Sequence, residues 1–328
     1  EPDYWYAFAG NPSEWPTGGT YTGPPIDRIA GADRYATAAA ISHASFPRDV
    51  PVAYIATGLG FADALAAGAA AAAQGGPVLL VRRTILPSAT ANELAWLRPA
   101  VIKVAGGTAV ISDEIVAALA SYATTGQVER LAGANRYGTA AVVSLDTFAA
   151  GVPVAYVATG MNFPDALAGV AAAGAEGGPV LLVRPDEIPS ETVTELARLN
   201  PGRIVVLGGP SVVSDAVAAA LAAHASSGTV ERLSGANRYA TAVAVSAAKF
   251  ADPSTVFIAT GQTFPDALGG GPVAGRLPGP LLLVSSTSVP SVVATELQSL
   301  DPDRVVILGG PGAVSDSVIY QLMSILGD

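Results

Sequence analysis

The chain has 328 residues, half of them apolar and 13% charged, which excludes a disordered chain and suggests two or three domains. With 27 acidic and 17 basic residues the net charge is −10. No run of Lys or Arg provides a local positive patch, which excludes nucleic acid as a partner. The absence of Cys excludes thiol catalysis and thiolate metal sites.

Two features of the sequence give expectations about where the protein is located. Because Glu1 is not an initiator Met, we expect a processed, secreted product whose signal peptide has been removed. The longest apolar stretch, from Ala64 to Ala73, is followed by Gln-Gly-Gly-Pro and is too short to cross a bilayer. We therefore expect a secreted protein with no membrane span.

Residues 1–25 form an aromatic N-terminal arm among Pro and Gly residues that disfavour regular structure. One interpretation is an arm that packs along its own first domain. The other is an assembly arm that docks on a neighbouring chain, since exposed aromatic residues mark interfaces. The residues that would act in such an arm are Tyr4, Trp5, Tyr6, Phe8 and Trp15.

The rest of the chain is one unit repeated three times. Arg-Ile-Ala-Gly-Ala-Asp-Arg-Tyr-Ala-Thr-Ala, beginning at Arg28, returns with small changes at Arg130 and Arg232. Ala-Thr-Gly, Phe-x-Asp-Ala-Leu, a Pro-led apolar strand, Glu-Leu and Gly-Gly follow in the same order each time. We place copy 1 at 26–127, copy 2 at 128–229 and copy 3 at 230–328.

Each copy alternates short apolar runs with segments of helical length. In copy 2 the predicted strands are 128–131, 154–158, 179–183 and 203–207, and a helix follows each of them. This alternation predicts a parallel sheet covered by helices on both faces. We predict an α/β fold of three three-layer domains of about four strands, each with its own core.

The first recurring polar cluster follows the first strand of each copy. Asp33 and its equivalents Asn135 and Asn237 are predicted helix N-caps. The next residue is always Arg, in a helical turn whose dipole disfavours a cation. Either a carboxylate of the protein or a bound anion offsets that charge. The candidate ligand-binding residues are the pairs Arg34 and Tyr35, Arg136 and Tyr137, and Arg238 and Tyr239.

The second cluster runs from Thr-Gly to an Asp, namely Asp63, Asp165 and Asp266. Gly60, Asn162 and Thr263 precede these acids by three residues, which predicts capping boxes. The acids would then cap helices, with a possible bridge to Arg34 in copy 1. The alternative is that they accept hydrogen bonds from sugar hydroxyls, and we include them among the candidate ligand-binding residues.

The third cluster joins the Gly-Gly after the last strand to a Ser-Asp pair that begins with Ser112 in copy 1. Gly-Gly can bring backbone N–H groups close to a phosphate. Ser as an N-cap and Asp in the first helical turn favour a structural role instead, because the acid repels an anion.

No pattern supports catalysis. His43 and His224 are the two histidines, and neither recurs at the matching position of another copy. Neither a Gly-x-Ser-x-Gly nor a His-Glu-x-x-His motif is present, and no Gly-rich nucleotide loop follows a first strand. We predict no enzyme, no metal and no cofactor. Three equivalent polar sites suggest avidity for a polymer.

These motifs, in this order and spacing over residues 26–328, resemble the cell wall binding repeat 2 family. The resemblance implies a secreted surface protein held non-covalently on the wall of a Gram-positive bacterium through an anionic wall glycopolymer. It also implies three Rossmann- or Toprim-like domains around a pseudo-threefold axis. The family's apolar triplets match 78–80, 180–182 and 281–283, which we expect to be buried core.

Members of that family usually join the three repeats to an effector domain, and none is recognisable in this chain. The hypothesis is therefore a polysaccharide-binding wall anchor at the cell surface. The alternative hypothesis is a structural protein whose copies assemble into a surface layer or filament through the N-terminal arm.

Overall fold

The computed structural model describes residues 21–327, and the arm residues from Tyr4 to Trp15 therefore lie outside the described part. The described residues form three parallel four-stranded sheets with helices on both faces. The predicted fold class is confirmed.

The elements follow the predicted order, strand then helix, four times in each copy. In copy 1 they are β1 (Ile26–Ile29), α1 (Arg34–Ser45), β2 (Val52–Thr57), α2 (Ala62–Gln74), β3 (Val78–Val81), α3 (Ser88–Leu97), β4 (Val101–Ala105) and α4 (Asp113–Leu119). In copy 2 they are β5 (Gln127–Leu131), α5 (Arg136–Thr147), β6 (Val154–Thr159), α6 (Pro164–Glu176), β7 (Val180–Val183), α7 (Ser190–Leu199), β8 (Arg203–Leu207) and α8 (Asp215–Leu221), with a 3₁₀ turn at Ala222–His224. In copy 3 they are β9 (Thr229–Leu233), α9 (Arg238–Lys249), β10 (Thr255–Thr260), α10 (Pro265–Arg276), β11 (Leu281–Val284), α11 (Ser291–Leu300), β12 (Arg304–Leu308) and α12 (Asp316–Leu326).

The sheets do not coincide with the sequence copies. Their strand orders are β3-β2-β4-β5, β7-β6-β8-β9 and β11-β10-β12-β1. The first strand of each copy therefore completes the sheet of the preceding copy, and β1 completes the sheet of copy 3, with Ile26 beside Val305. The expectation that each copy builds its own four-stranded sheet is wrong. The three copies form a closed ring in which every sheet borrows its edge strand.

The strands are apolar on both faces because helices cover both. All residues of β2, β3, β6 and β7 are buried. The triplets at 78–80, 180–182 and 281–283 are at most 1% exposed, as predicted for core. They pair in register with the second strand of the copy, as Leu79 does with Ile55 and Leu181 with Val157.

Three helices of small residues, α2, α6 and α10, contact one another where the copies meet. A Cβ atom on Gly174 would lie 2.6 Å from the Cβ of Ala72 and 3.2 Å from the Cα of Gly275. These three residues occupy the same repeat position. One turn earlier, Val170 fills the layer between Gly68 and Gly271. Backbones this close exclude larger side chains, so the sequence bias to Ala and Gly positions the ring.

The expectation of a separate core for each copy is also wrong. One continuous cluster of buried residues extends from copy 1 through copy 2 into copy 3, where it includes residues of α9, α10, β10, β11 and β12. A second cluster fills the outer half of copy 3 and includes Ile26 of β1. The central helices are buried nearly all round, so their apolar surface belongs to the ring rather than to a single unit.

Candidate functional site

The first helix of each copy begins at the predicted N-cap. Asp33 Oδ1 accepts hydrogen bonds from the backbone N–H groups of Tyr35 and Ala36, both at 2.9 Å. Asn135 and Asn237 cap α5 and α9 in the same way. The capping prediction is confirmed, and it fixes the direction of the arginine that follows.

That arginine points back across its own copy to the loop after the second strand. Arg34 donates from Nη1 to the carbonyl oxygen of Gly58 at 2.6 Å. Arg136 and Arg238 make the equivalent bonds to Gly160 and Gly261. A carbonyl oxygen therefore partly offsets the cation, and the other guanidinium N–H groups can serve further acceptors.

The recurring aspartates do not form capping boxes. The N-caps of α2, α6 and α10 are Phe61, Phe163 and Phe264, which make no side-chain capping bond. Each Asp is the second helical residue and points towards the next copy in the ring. Asp63 faces Arg136 and Thr139, Asp165 faces Arg238 and Thr241, and Asp266 faces Arg34 and Thr37. The suggested bridge from Asp63 to Arg34 is wrong, because Arg34 belongs with Asp266 of copy 3.

Burial makes these carboxylates unusually basic. It raises the pKa of Asp63 to about 6, against the opposing effects of the Arg136 charge and the Thr139 hydroxyl. Burial likewise raises the pKa of Asp266 to about 6, and that of Asp165 above its ordinary value. We call each place where one copy meets the next a junction. At each junction an arginine thus faces a carboxyl group that gains a proton more readily than an exposed Asp.

The Gly-Gly turns lie against the same aspartates. Gly106 has a φ of +122°, and a Cβ there would lie 2.8 Å from Asp63 Oδ2. Gly208 and Gly309 have the same relation to Asp165 and Asp266. A side chain at these positions would strain the backbone and displace the carboxylate. The second and third clusters of one copy therefore meet the first cluster of the next.

Sequence reasoning missed a second set of arginines that joins the copies. Arg28, Arg130 and Arg232, in the borrowed edge strands, each donate to the carbonyl oxygen of the preceding copy's Gly-Gly turn, in each case at 2.7 Å. Arg28 is 6% exposed and also donates to Val314 O at 2.7 Å. The recurrence of Arg at the start of every repeated motif was the available signal, but it did not reveal that the partner lies in another copy.

Between copies 1 and 2 these groups line a cleft of about 490 Å³. All three copies contribute to it: Asp63 and Gly107 from copy 1, Asn135 and Arg136 from copy 2, and Phe264 from copy 3. The cleft lies beyond the carboxyl ends of the strands, where ligands bind in parallel α/β folds.

The three N-cap phenylalanines meet at the centre of the ring. The ring centroids of Phe61, Phe163 and Phe264 are 5.5 to 6.0 Å apart and their planes are tilted. The guanidinium carbon of Arg136 lies 5.8 Å from the Phe61 centroid, and that of Arg238 lies 6.0 Å from the Phe163 centroid. Each of these arginines therefore packs on an aromatic ring of the preceding copy.

The predicted tyrosines lie behind the arginines rather than beside the aspartates. The ring of Tyr35 fills the space next to Gly58, as the ring of Tyr137 does next to Gly160. Arg82 lies over Tyr35 at 5.3 Å and Arg184 over Tyr137 at 5.5 Å. Ser285 stands at the corresponding position of copy 3. The three junctions are therefore similar but not identical.

The remaining predictions concern groups outside these junctions. His43 packs on Trp96 with ring centroids 4.0 Å apart and contacts the buried Glu93 at 3.1 Å, so it joins α1 to α3. Residues 21–327 contain no cluster of three or more side chains suited to hold a metal ion. Nor does any helix in that part combine the length and apolarity needed to cross a membrane.

The sequence profile of the Cell wall binding domain 2 (CWB2) family matches residues 28–116, 130–218 and 232–319. The chain belongs to the CWB2 family. Each matched segment lies within one of the three predicted copies, so the resemblance inferred from the repeated motifs is confirmed.

Two relatives from Bacillus subtilis (strain 168) are similar in sequence to part of this chain. N-acetylmuramoyl-L-alanine amidase LytC is 29% identical over 197 residues, which cover 60% of this chain and 39% of the amidase. The Amidase enhancer is 32% identical over 194 residues, covering 59% of this chain and 26% of that protein. The matches therefore span well under half of each relative.

Two solved structures share the fold. Cwp6 from Clostridium difficile superposes with a TM-score of 0.86 at 26% identity, covering 94% of this chain and 49% of Cwp6. Cwp8 from the same organism superposes with a TM-score of 0.81 at 22% identity, covering 92% of this chain and 51% of Cwp8. The fold of the ring is thus found in both neighbours, and this chain spans about half of each.

Proposed function

We propose that this chain is an extracellular surface protein that is retained non-covalently on the bacterial cell wall. It binds an anionic wall glycopolymer at the junctions between its CWB2 copies. The observation that carries the proposal is the convergence, in one cleft, of Arg136 from copy 2 with Asp63 and Gly107 from copy 1. Membership of a wall-binding family supports the target, and the placed arginines support its charge.

The net charge of −10 provides no general attraction for an anion, so attraction has to be local. Arg34, Arg136 and Arg238 each donate to a glycine carbonyl oxygen, and Arg136 and Arg238 also pack on aromatic rings, which orients these side chains before a ligand arrives. A guanidinium held in place loses little conformational freedom when it binds a phosphate or carboxylate. The adjoining acids can accept hydrogen bonds from sugar hydroxyls.

A polymer is favoured over a small anion because the junction recurs three times on one rigid ring. When one junction holds a repeating chain, its neighbours meet further repeats at high effective concentration. Weak contacts can then give firm retention. We propose binding rather than catalysis, because each junction repeats the same Asp and Arg pair instead of collecting distinct reactive groups.

Sedimentation with purified cell walls tests the proposal. We expect the chain to sediment with intact walls and to stay in solution with walls from which mild acid has removed the secondary polymers. Single changes Arg34→Gln, Arg136→Gln and Arg238→Gln should weaken retention about tenfold or less each, and the triple variant should abolish it.

The control is a triple variant that removes the same charge from exposed positions, namely Arg48→Gln, Arg98→Gln and Arg304→Gln. Arg98 and Arg304 have side chains 53% and 50% exposed. Equal retention of the two triple variants, or full retention on stripped walls, would exclude the junctions or the polymer as the basis of binding.

The alternative function is assembly into a surface layer or filament through the N-terminal arm, and the composition of that arm favours it. Deleting residues 1–20 would then leave a folded ring that no longer assembles. Electron microscopy at high concentration distinguishes the two, because a pure wall anchor gives separate particles with or without the arm. Wall binding and assembly can coexist in one protein.

A further inference from the structure

An apolar surface lies at the centre of the ring, on the side where the strands end. Among the large hydrophobic side chains of the described residues, Leu59 and Met161 are the most exposed, at 68% and 63%. They occupy the same repeat position in copies 1 and 2, two residues before Phe61 and Phe163. We call Leu59, Met161, Phe61, Phe163 and Phe264 the axial patch.

The axial patch is continuous with the anion-binding junction. Leu59, Phe61 and Phe264 line the cleft that also contains Arg136. The three phenylalanine rings are partly exposed, and Phe264 packs edge to face with each of the other two, so they form a small aromatic floor. Leu59 lines the same cleft as this floor, and Met161 occupies the equivalent repeat position in copy 2. The Met161 sulfur lies 3.7 Å from the Tyr137 hydroxyl.

Cationic groups border the patch. The guanidinium carbons of Arg136 and Arg238 lie 5.8 and 6.0 Å from the ring centroids of Phe61 and Phe163, respectively. The surface therefore complements a ligand with an apolar face flanked by negative charge. A sugar ring carries C–H groups on its faces, and in an anionic glycopolymer the acidic groups lie beside the ring.

Other occupants fit the charges less well. A second copy stacked face to face would bring its arginines against those of the first, and like charges at such a contact are unfavourable. A bilayer of acidic lipids is broad, so it would bring its negative charge against a large part of a chain whose net charge is −10, and not only against the arginines. A sugar ring meets neither difficulty, because it contacts only the patch and the arginines around it.

We infer that the axial patch is a sugar-binding subsite, on which one sugar ring of the polymer lies over the phenylalanine floor while its neighbouring anionic groups reach Arg136 and Arg238. This inference rests on the proposed function and specifies its geometry. One polymer chain then crosses the centre of the ring and connects two junctions. In copy 3 the exposed Gln262 stands where Leu59 and Met161 stand, so the polymer meets one polar and two apolar sides and binds in a preferred direction.

The first test uses the two methionines of the chain. Protein labelled with ¹³C at the methionine methyl groups is titrated with the phosphate-containing polysaccharide that mild acid releases from cell walls. We expect the signal of Met161 to shift and that of Met323, in α12, to stay in place. A titration that saturates without moving the Met161 signal would overturn the subsite.

The second test compares affinities for two probes, the same polysaccharide and inorganic polyphosphate, which carries charge but no sugar. The double variant Leu59→Ser and Met161→Ser should bind the polysaccharide about five- to tenfold more weakly, because it loses apolar contact, and polyphosphate as wild type does. The matched control is Leu145→Ser with Leu277→Ser, whose side chains are 57% and 46% exposed. These two residues lie at the far ends of α5 and α10, and their change should affect neither probe.

The outcomes separate this inference from the proposed function. If the arginine variants weaken binding of the polysaccharide but the Leu59 and Met161 variant does not, the junctions bind and the axial subsite is wrong. If the wild type binds no polysaccharide, the proposed function itself fails. A patch variant that turns a dimer into a monomer, or that releases the chain from phosphatidylglycerol vesicles, would assign the patch to a second copy or to a lipid surface and also overturn the inference.

Discussion

At the scale of single residues, folding disfavours the charged form of the buried aspartates at the junctions. Asp63 and Asp266 have a pKa of about 6 because of burial, compared with 3.8 for an unperturbed side chain. Between these two pH values the folded chain binds more protons than the unfolded chain. The contribution of these groups to stability is therefore complete below pH 3.8 and is lost as the pH rises through about 6.

A pair of amide variants should show this effect. Relative to wild type, the double variant Asp63→Asn and Asp266→Asn should gain unfolding free energy between pH 4 and pH 7.5, about 2 kcal/mol for each Asp replaced, because the amide carries no charge to bury. Urea unfolding at both pH values measures the difference. Asp113→Asn, at a side chain 76% exposed, is the control and should show no such gain. If the unfolding free energy of the double variant and of wild type changed equally between the two pH values, the interpretation would be contradicted.

At the scale of elements, the central helices fit together only because their facing residues are small. Gly174 of α6 lies against Ala72 of α2 and Gly275 of α10, whereas its neighbour Ala175 is exposed. One turn of α6 therefore contains a position that lies against both other copies, Gly174, and an exposed position, Ala175.

Valine at these two neighbouring positions should have very different effects. Gly174→Val forces side-chain atoms into the other two helices and should lower the free energy of unfolding by about 2–3 kcal/mol. Ala175→Val places the same β-branched residue in the same helix and should cost about 0.5 kcal/mol. Thermal unfolding followed by circular dichroism compares them. Similar losses for the two variants would mean that the close contact at Gly174 is not important for stability.

Much of the element level could be predicted from the sequence, and the failures have physical causes. Buried strands such as Val78–Val81 and caps such as Asp33 depend on local pattern, and both were predicted correctly. The sheet to which β1 belongs could not be predicted, because near-identical copies offer the same edge to a strand from either neighbour. The local pattern predicts a cap at Asp63, because its partner Arg136 belongs to another copy and comes close only after copies 1 and 2 have packed.

At the scale of the whole molecule, the ring is closed by one short strand that is not covalently continuous with the sheet it completes. β1 pairs with β12, and its Arg28 reaches Gly309, Val314 and Asp316 of copy 3. Arg34 and Asp266 face each other where copy 3 meets copy 1, beside this strand, whereas the other two junctions join copies that are consecutive in the chain.

Two truncations should distinguish the contribution of β1 to stability from that of the segment before it. Removing residues 1–31 deletes β1 and should lower the free energy of unfolding by about 3 kcal/mol or more, because it exposes the edge of β12 and removes a buried arginine that pairs with Asp316. Removing residues 1–20 keeps β1 and should leave the stability close to that of the full chain. Denaturant unfolding with size-exclusion chromatography measures both. A stable, compact 32–328 fragment would mean that the closing strand is dispensable.

The closing strand also decides where the described chain enters and leaves. Tyr21 packs beside Gly327, and a Cβ on Gly23 would lie 2.5 Å from the carbonyl oxygen of Leu326. Any protein fused before residue 21 or after residue 327 would consequently project from the same corner of copy 3. An engineer could join the two ends with a short linker and open the chain elsewhere, for example in the exposed turn at Gly126, to move a fused cargo to another junction of an unchanged anchor.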